Sequence, residues 1–246
     1  MISDTSPPAA IPFNKYEEMG AYHWLQCNSH SVNFNPPLVA RYETVIEEVN
    51  KFGMVERILD IGCGDGYLMS KVSQYSSATF GIDSEIQAIN LAQKMLKNKS
   101  NCKVQNGNCY DLPFESKYFD IVLLTDVIEH LEKSDQCLSE INRVLKTGGK
   151  LILTTPKWRP DRKWDHRHVK EYKQEELKEL LSDYFNQLTF SFFWPKWWSD
   201  KYSTRIGWHL IKYYTRLFYN PFKQESTKNA DKYGQLKVIC TKSNNG

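Results

Sequence analysis

Apolar positions along the chain recur with two periods, and the period switches at glycines and prolines. Val55–Ile61, with Val55, Ile58, Leu59 and Ile61 apolar, reads as a buried strand, and Gly66–Gln74 reads as a helix. The alternation then repeats. Strands are predicted at Thr79–Ile82, Lys103–Gln105, Ile121–Leu124 and Lys150–Thr154, the last after a turn at Gly148-Gly149. Helices are predicted at Glu85–Lys97, Ser134–Leu145 and Glu175–Leu181. Two late strands, Gln187–Phe193 and Gln235–Thr241, complete a set of seven. Short apolar strands separated by amphipathic helices imply an α/β fold, with a doubly wound, mostly parallel sheet covered on both faces.

Two segments stand outside this alternation. Residues 1–53 form an N-terminal helical extension, or cap, ahead of a main domain at 54–246. Leu38, Tyr42, Val45, Ile46 and Val49 fall on one helical face, after a helix start at Pro36-Pro37 and before a stop at Gly53. The Pro- and Ser-rich residues 1–14 are expected to be frayed. The second segment is an insertion at about 194–234, before the last strand. It holds Trp194, Trp197, Trp198, Trp208, Tyr213, Tyr214 and Phe218 among other aromatics.

Composition narrows the class. With 41% hydrophobic and 25% charged residues, the 246-residue chain has the balance of a soluble globular protein. No apolar stretch is long enough to span a membrane, and the N-terminus lacks the pattern of a secretory signal, so a cytoplasmic location is expected. The six cysteines are scattered without a C-x-x-C pair, which predicts reduced thiols. Residues 157–246 hold 18 Lys/Arg against 10 Asp/Glu and carry +8, while the rest carries −5. That split is compatible with an anionic substrate or surface, or with a merely solvated basic face. In Trp208–Phe218 basic and aromatic residues mix as they do in interfacial helices, so 194–222 is a candidate for membrane-surface contact and a location peripheral to the membrane. Buried packing is the competing reading. No RNA-binding module is recognisable, so nucleic acid is not an expected partner.

Candidate chemistry gathers at the strand ends. Asp60-Ile61-Gly62-Cys63-Gly64-Asp65-Gly66 takes an apolar strand through a glycine-rich turn into a helix. Such a turn lets a ligand approach the backbone closely, and the helix start offers N–H groups to an anion. The spacing is D-x-G-x-G-x-G rather than the G-x-G-x-x-G of nicotinamide-binding domains. Asp83 ends the next strand, 23 positions after Asp60, where a carboxylate can meet ribose hydroxyls. Asp83 could equally serve the start of the following helix, a role open to Ser84 as well. Asn106–Phe114 and Thr125–Leu131 sit at two further strand ends.

Residues 55–156 resemble the core of the class I S-adenosylmethionine-dependent methyltransferases, within them the branch of ubiquinone-pathway, sugar and other small-molecule enzymes. The glycine motif, Asp83, Asn108–Phe114, Asp126–Leu131 and Arg143–Gly149 match in order. The resemblance implies a Rossmann-like methyltransferase fold and S-adenosyl-L-methionine as cofactor. It implies that Asp60, Gly62, Cys63, Gly64 and Gly66 hold the methionine end, that Asp83 binds the ribose hydroxyls, and that Ser84 lies against the adenosine. Asn108 and Cys109, where the family often has Asp and Ala, would edge the adenine. Thr125 would lie near the amino group. Arg41 matches an upstream Arg that meets the cofactor carboxylate in some relatives; a surface charge on a helix is the alternative.

An activated methyl donor needs an acceptor held in line and, for a hydroxyl, a base. His130 and His168 are the candidates, as base or acceptor-binding groups. Tyr22, His23 and Trp24 are candidate acceptor contacts on the cap, with plain aromatic packing as the alternative. The expected reaction is methyl transfer to a hydroxyl, or amine, of a small acceptor such as a sugar or glycan-linked substrate. No metal is assigned. Asp126, Glu129, His130 and His168 are nevertheless similar to the acid-x-x-Glu-His and later His that hold a divalent metal in small-RNA 2′-O-methyltransferases, which leaves a metal-dependent RNA enzyme as the alternative. A non-catalytic cofactor-fold subunit is the third reading, and the intact glycine turn and Asp83 weigh against it.

Overall fold

In the computed structural model, residues 15–160 and 165–243 are described. The expected fraying of 1–14 falls outside them. Strand β1 (Val55–Ile61) occupies the middle of a seven-stranded sheet. The strands that follow are β2 (Ser76–Asp83), β3 (Cys102–Asn106), β4 (Phe119–Thr125), β5 (Leu145–Pro156), β6 (Gln187–Pro195) and β7 (Tyr233–Thr241). Their order is β3-β2-β1-β4-β5-β7-β6. The first five are parallel, while β7 runs antiparallel to both β5 and β6. The order reverses between β1 and β4, and open α/β sheets bind ligands outside the carboxyl ends of the strands at such a point.

The two-residue period of a strand decides which helix each side chain meets. Ile58, Ile121, Leu123 and Ile152 pack on one face against Leu38, Val45 and Val49 of α3 (Pro36–Lys51) and Leu68 and Val72 of α4 (Tyr67–Val72). Leu59, Ile61, Val122, Leu124, Leu151 and Leu153 point to the other face. There they meet α6 (Ser134–Val144) and α7 (Gln174–Ser182). Helix α5 (Ile86–Met95) packs on Met69 of α4.

The cap holds three helices, α1 (Lys15–Met19), α2 (Tyr22–Gln26) and α3, the last between the expected start at Pro36 and stop at Gly53. Gly20 has φ +59, a left-handed break that ends α1. The Asn35 side chain accepts from Leu38 N and starts α3 beside the prolines. The insertion forms α8 (Lys196–Tyr202) and α9 (Arg205–Leu217). Ser84 caps nothing: the Oδ1 of Asp83 accepts from Glu85 N at 2.9 Å, and α5 begins at Ile86. The expected turn at Gly148-Gly149 lies inside β5, which pairs with β4 through a register shift. All six cysteines are unpaired.

Arg143 explains why its segment is a recognisable motif. From α6 it donates to Phe114 O (2.7 Å) and Leu112 O (2.9 Å), while Glu140 accepts from Leu112 N (2.7 Å) and pairs with Arg143. The loop after β3 is thereby pinned to the sheet. Arg143→Ala is expected to cost about 1–2 kcal/mol in urea unfolding, with Arg143→Lys recovering little, because one ammonium cannot span carbonyls two residues apart as the guanidinium fork does.

Candidate active site

The turn after β1 is built on three left-handed glycines, Gly62 (φ +72), Gly64 (φ +56) and Gly66 (φ +78). A Cβ on Gly62 would lie 2.5 Å from Val127 Cγ2, and one on Gly64 would lie 2.2 Å from the Tyr16 hydroxyl, so neither position admits a side chain without movement. Gly62 N and Cys63 N both donate to Ile82 O, at 2.8 and 3.1 Å. Gly64 N donates to Asp83 Oδ2 at 2.9 Å. The ends of β1 and β2 are thus fastened together.

Above this floor lies a cleft of about 1050 Å³. Gly62, Asp83 and Ser84 line one side, Asn108 and Cys109 another, and Thr125 and Asp126 the end of β4. Arg41 and Tyr22 descend from the cap, and Trp194 comes from the insertion. Helix α2 is latched to the glycine turn by Asp65, whose side chain is fully buried. His23 N donates to its Oδ2 at 3.0 Å, His23 Nδ1 lies 3.1 Å from its Oδ1, and Trp24 Nε1 donates to its backbone carbonyl.

The end of β4 carries strain and charge together. Asp126 holds φ +50, a conformation costly for a non-glycine residue. Its carboxylate keeps that geometry through Arg41 (2.7 Å), Thr154 Oγ1 (2.7 Å) and Gln235 Nε2 (3.3 Å). Asp126 raises the affinity of the Arg41 guanidinium for its proton, against the opposing effect of burial. Glu129 is buried, accepts from Thr155 Oγ1, and is pushed well above the usual carboxylate range by desolvation and by Asp126.

His130 and His168 stand beside Glu129, their rings 4.9 Å apart, and the three offer ligand atoms within 4.8 Å of one another. His130 Nδ1 lies 2.9 Å from Arg167 O and His168 Nδ1 lies 2.9 Å from Glu171 Oε1. A carbonyl only accepts, so His130 carries its hydrogen on Nδ1 and Nε2 is its basic nitrogen. Burial lowers the pKa of His130, which keeps the imidazole neutral and able to take a proton.

Three buried polar atoms on the cleft residues lack a hydrogen-bond partner: Thr125 Oγ1, Arg41 Nε and Gln235 Oε1. Buried polar groups are rarely left so without a ligand to meet them. Asp83 already accepts two backbone N–H groups, yet each oxygen keeps a second lone pair for a diol. The wall therefore fits a polar ligand with ribose-like hydroxyls at the β2 end and a charged or polar group at the β4 end.

Residues 59–153 match the family described as "Methyltransferase domain". Over these residues the chain is similar to that family. Among relatives, the fatty-acid O-methyltransferase of Mycolicibacterium smegmatis is 27% identical over 64% of this chain and 52% of its own length. A sterol 4-C-methyltransferase of Caenorhabditis elegans is 30% identical over 39% of this chain and 29% of its own. The chain spans less than two thirds of the curated relatives it matches first. The YcgJ protein of Bacillus subtilis shares the fold with a TM-score of 0.59 and 20% identity, over 82% of this chain and 98% of that one. Phosphoethanolamine N-methyltransferase 2 of Haemonchus contortus, solved with S-adenosyl-L-methionine, gives 0.66 at 15% identity over 97% and 61%.

Of the residues singled out in the sequence, the fold brings Arg41, Gly62, Asp83, Ser84, Asn108, Cys109, Thr125, Tyr22, His23, His130 and His168 to the cleft. Five others lie outside its wall. Asp60 is buried behind the turn. Cys63 turns its thiol toward Gly81. Gly64 lies beneath Tyr16, and Gly66 packs on Leu96 and Ala92. Trp24 stacks edge-on to Tyr67, as the plain packing reading had it. Arg41 is no surface charge. Sequence reasoning passed over Tyr16, Asp65 and Gln235, since nothing in the spacing ties Asp65 to His23, 42 residues away, or Gln235 to Asp126, 109 residues away.

Asp65→Ala is expected to free α2 and cost about 1–3 kcal/mol. Hydrogen exchange should show loss of protection at residues 22–27 while β1 and β4 stay protected; equal protection in α2 would refute the latch.

Proposed function

We propose that this chain is an S-adenosylmethionine-dependent methyltransferase acting on a hydroxyl, or amine, of a small acceptor, such as a sugar or a glycan-linked molecule. The observation that carries the reading is the linked turn of Gly62–Gly64 and Asp83 at the switch point of the sheet, beneath a cleft of about 1050 Å³. The family match over 59–153 supports it.

In this reading the cofactor supplies a sulfonium-bound methyl group. Asp83 accepts from the ribose hydroxyls, and Asn108 and Cys109 edge the base. Arg41 and Thr125 meet the amino-acid end, which would satisfy their unpartnered atoms. Tyr22 and His23 close the cleft from above and exclude water, which strengthens every charge interaction inside. His130, neutral and with Nε2 basic, orients an acceptor hydroxyl and takes its proton. His168 stands at the same wall and is held by Glu171. Among the described residues no helix is long and apolar enough to cross a membrane, and contact with one would be peripheral.

One observation favours a second reading. Glu129, His130 and His168 form a carboxylate and two imidazoles within reach of a single divalent cation. In that case Glu129, His130 and His168 would hold the cation, which would supply Lewis-acid polarisation of the acceptor, as in the metal-dependent RNA alternative. Methyl-transfer activity that survives chelation excludes it.

Calorimetry with S-adenosylmethionine should show binding that Asp83→Ala weakens by about 10- to 100-fold, the worth of two ordinary hydrogen bonds. No binding by the wild type would overturn the reading in favour of a non-catalytic subunit. Burial and the nearby Asp83 push Asp60 up to about 8, so it is protonated at neutral pH. A cationic cofactor beside the turn favours the ionised form, so binding releases a proton below that pH. Affinity should therefore rise as pH increases toward about 8 and then level off, and Asp60→Asn should flatten the profile.

A further inference from the structure

Helix α9 is amphipathic with its apolar side turned the wrong way for a self-contained globular protein. Ile206, Leu210, Tyr213 and Leu217 follow the i, i+4, i+7, i+11 spacing of a single stripe, and they are 74%, 63%, 64% and 55% exposed. The side packed on the body carries Ile211 and Lys212 instead, and Lys212 Nζ donates to Val32 O. Trp197 and Phe218 extend the exposed patch on either side. Contiguous apolar surface of this extent marks an interaction site.

Charge selects the occupant. One residue ahead of three of the four stripe positions stands an exposed basic or titratable nitrogen side chain: Arg205, His209 and Arg216. From 201 to 224 the chain has five Lys/Arg and no Asp or Glu. A second copy meeting this face would bring the same acid-free segment against it, cation to cation. An anionic lipid surface meets both halves of the pattern, with acyl chains for the stripe and headgroup phosphates for the basic flank.

We propose that α9 lies in the interfacial layer of an anionic bilayer, stripe inward, and anchors the chain there peripherally. The anchor adjoins the catalytic cleft: α8, which leads into α9, contributes Ser199 to the cleft wall, and Trp194 stands just before it. Resting on the methyl-transfer reading, this placement names the acceptor class as the polar headgroup of an amphiphile held in the same membrane.

Flotation of the full chain with phosphatidylcholine vesicles, with and without phosphatidylglycerol, tests the anchor. The wild type should float with the anionic vesicles. The triple variant Ile206→Gln, Leu210→Gln, Leu217→Gln should bind them at least about tenfold more weakly, and Arg205→Gln with Arg216→Gln should lose the preference for anionic lipid. All five positions are exposed, so the variants should fold, and unchanged S-adenosylhomocysteine binding would verify that. Equal flotation of wild type and triple variant would overturn the proposal. So would no flotation of the wild type, or a dimer in sedimentation that the triple variant abolishes. Cofactor binding without flotation sinks only the anchor; flotation without cofactor binding sinks only the methyl-transfer reading.

Discussion

The backbone carbonyl of Ile82 holds the site together. It receives both Gly62 N and Cys63 N, and the neighbouring Asp83 side chain takes Gly64 N and Glu85 N. Four N–H groups at the ends of two parallel strands are thereby satisfied by two consecutive residues. The turn can reach that carbonyl only with φ positive at Gly62 and Gly64. The glycines are thus required by the join between β1 and β2 as much as by any ligand. The same join fixes Asp65, the residue between Gly64 and Gly66, with its carboxylate facing α2.

Much of this was legible in the sequence because strands and helices write themselves in different periods. All seven strands and the four helices α4 to α7 fall where the apolar pattern places them, give or take a few residues. Where reading failed, the cause was an interaction between distant residues. The cap splits at Gly20 because α2 must turn down to reach Asp65, a contact 42 residues away. Asp83 displaces Ser84 as the partner of the α5 start because it already sits at the turn. Gly148-Gly149 has the composition of a turn, yet β5 runs through it because Gly148 N donates to Lys242 O and Lys242 N donates back to Gly149 O.

The candidate chemistry divided the same way. Residues of the glycine motif and the strand ends announce themselves by type and order. Gln235 does not, since it comes from β7 on the far side of β5 and arrives at Asp126 only through the antiparallel register Pro156↔Gln235. The burial of Asp126 and Glu129 beside one guanidinium is likewise a product of folding. Two carboxylates share that pocket: Asp126 pairs with Arg41, and burial beside Asp126 raises the proton affinity of Glu129. Strain at Asp126 and a buried carboxyl at Glu129 that holds its proton coincide where the strand order reverses, and such costs persist in folds at sites that use them.

Cap and insertion are separate in sequence but share one mount. Trp194 Nε1 donates to Pro37 O and Asn220 Nδ2 to Pro36 O, so both ends of the insertion hang on the first turn of α3. From α9, Lys212 and Arg216 donate to Val32 O and Ser31 O, in the loop that joins α2 to α3. That loop is also the only covalent link between the latch at His23 and the Arg41 that reaches Asp126. The helix with the solvent-facing apolar stripe is therefore hydrogen-bonded to the segment that sets the height of the cap over the cleft. One short loop thus carries contacts to both the cleft and the exposed helix.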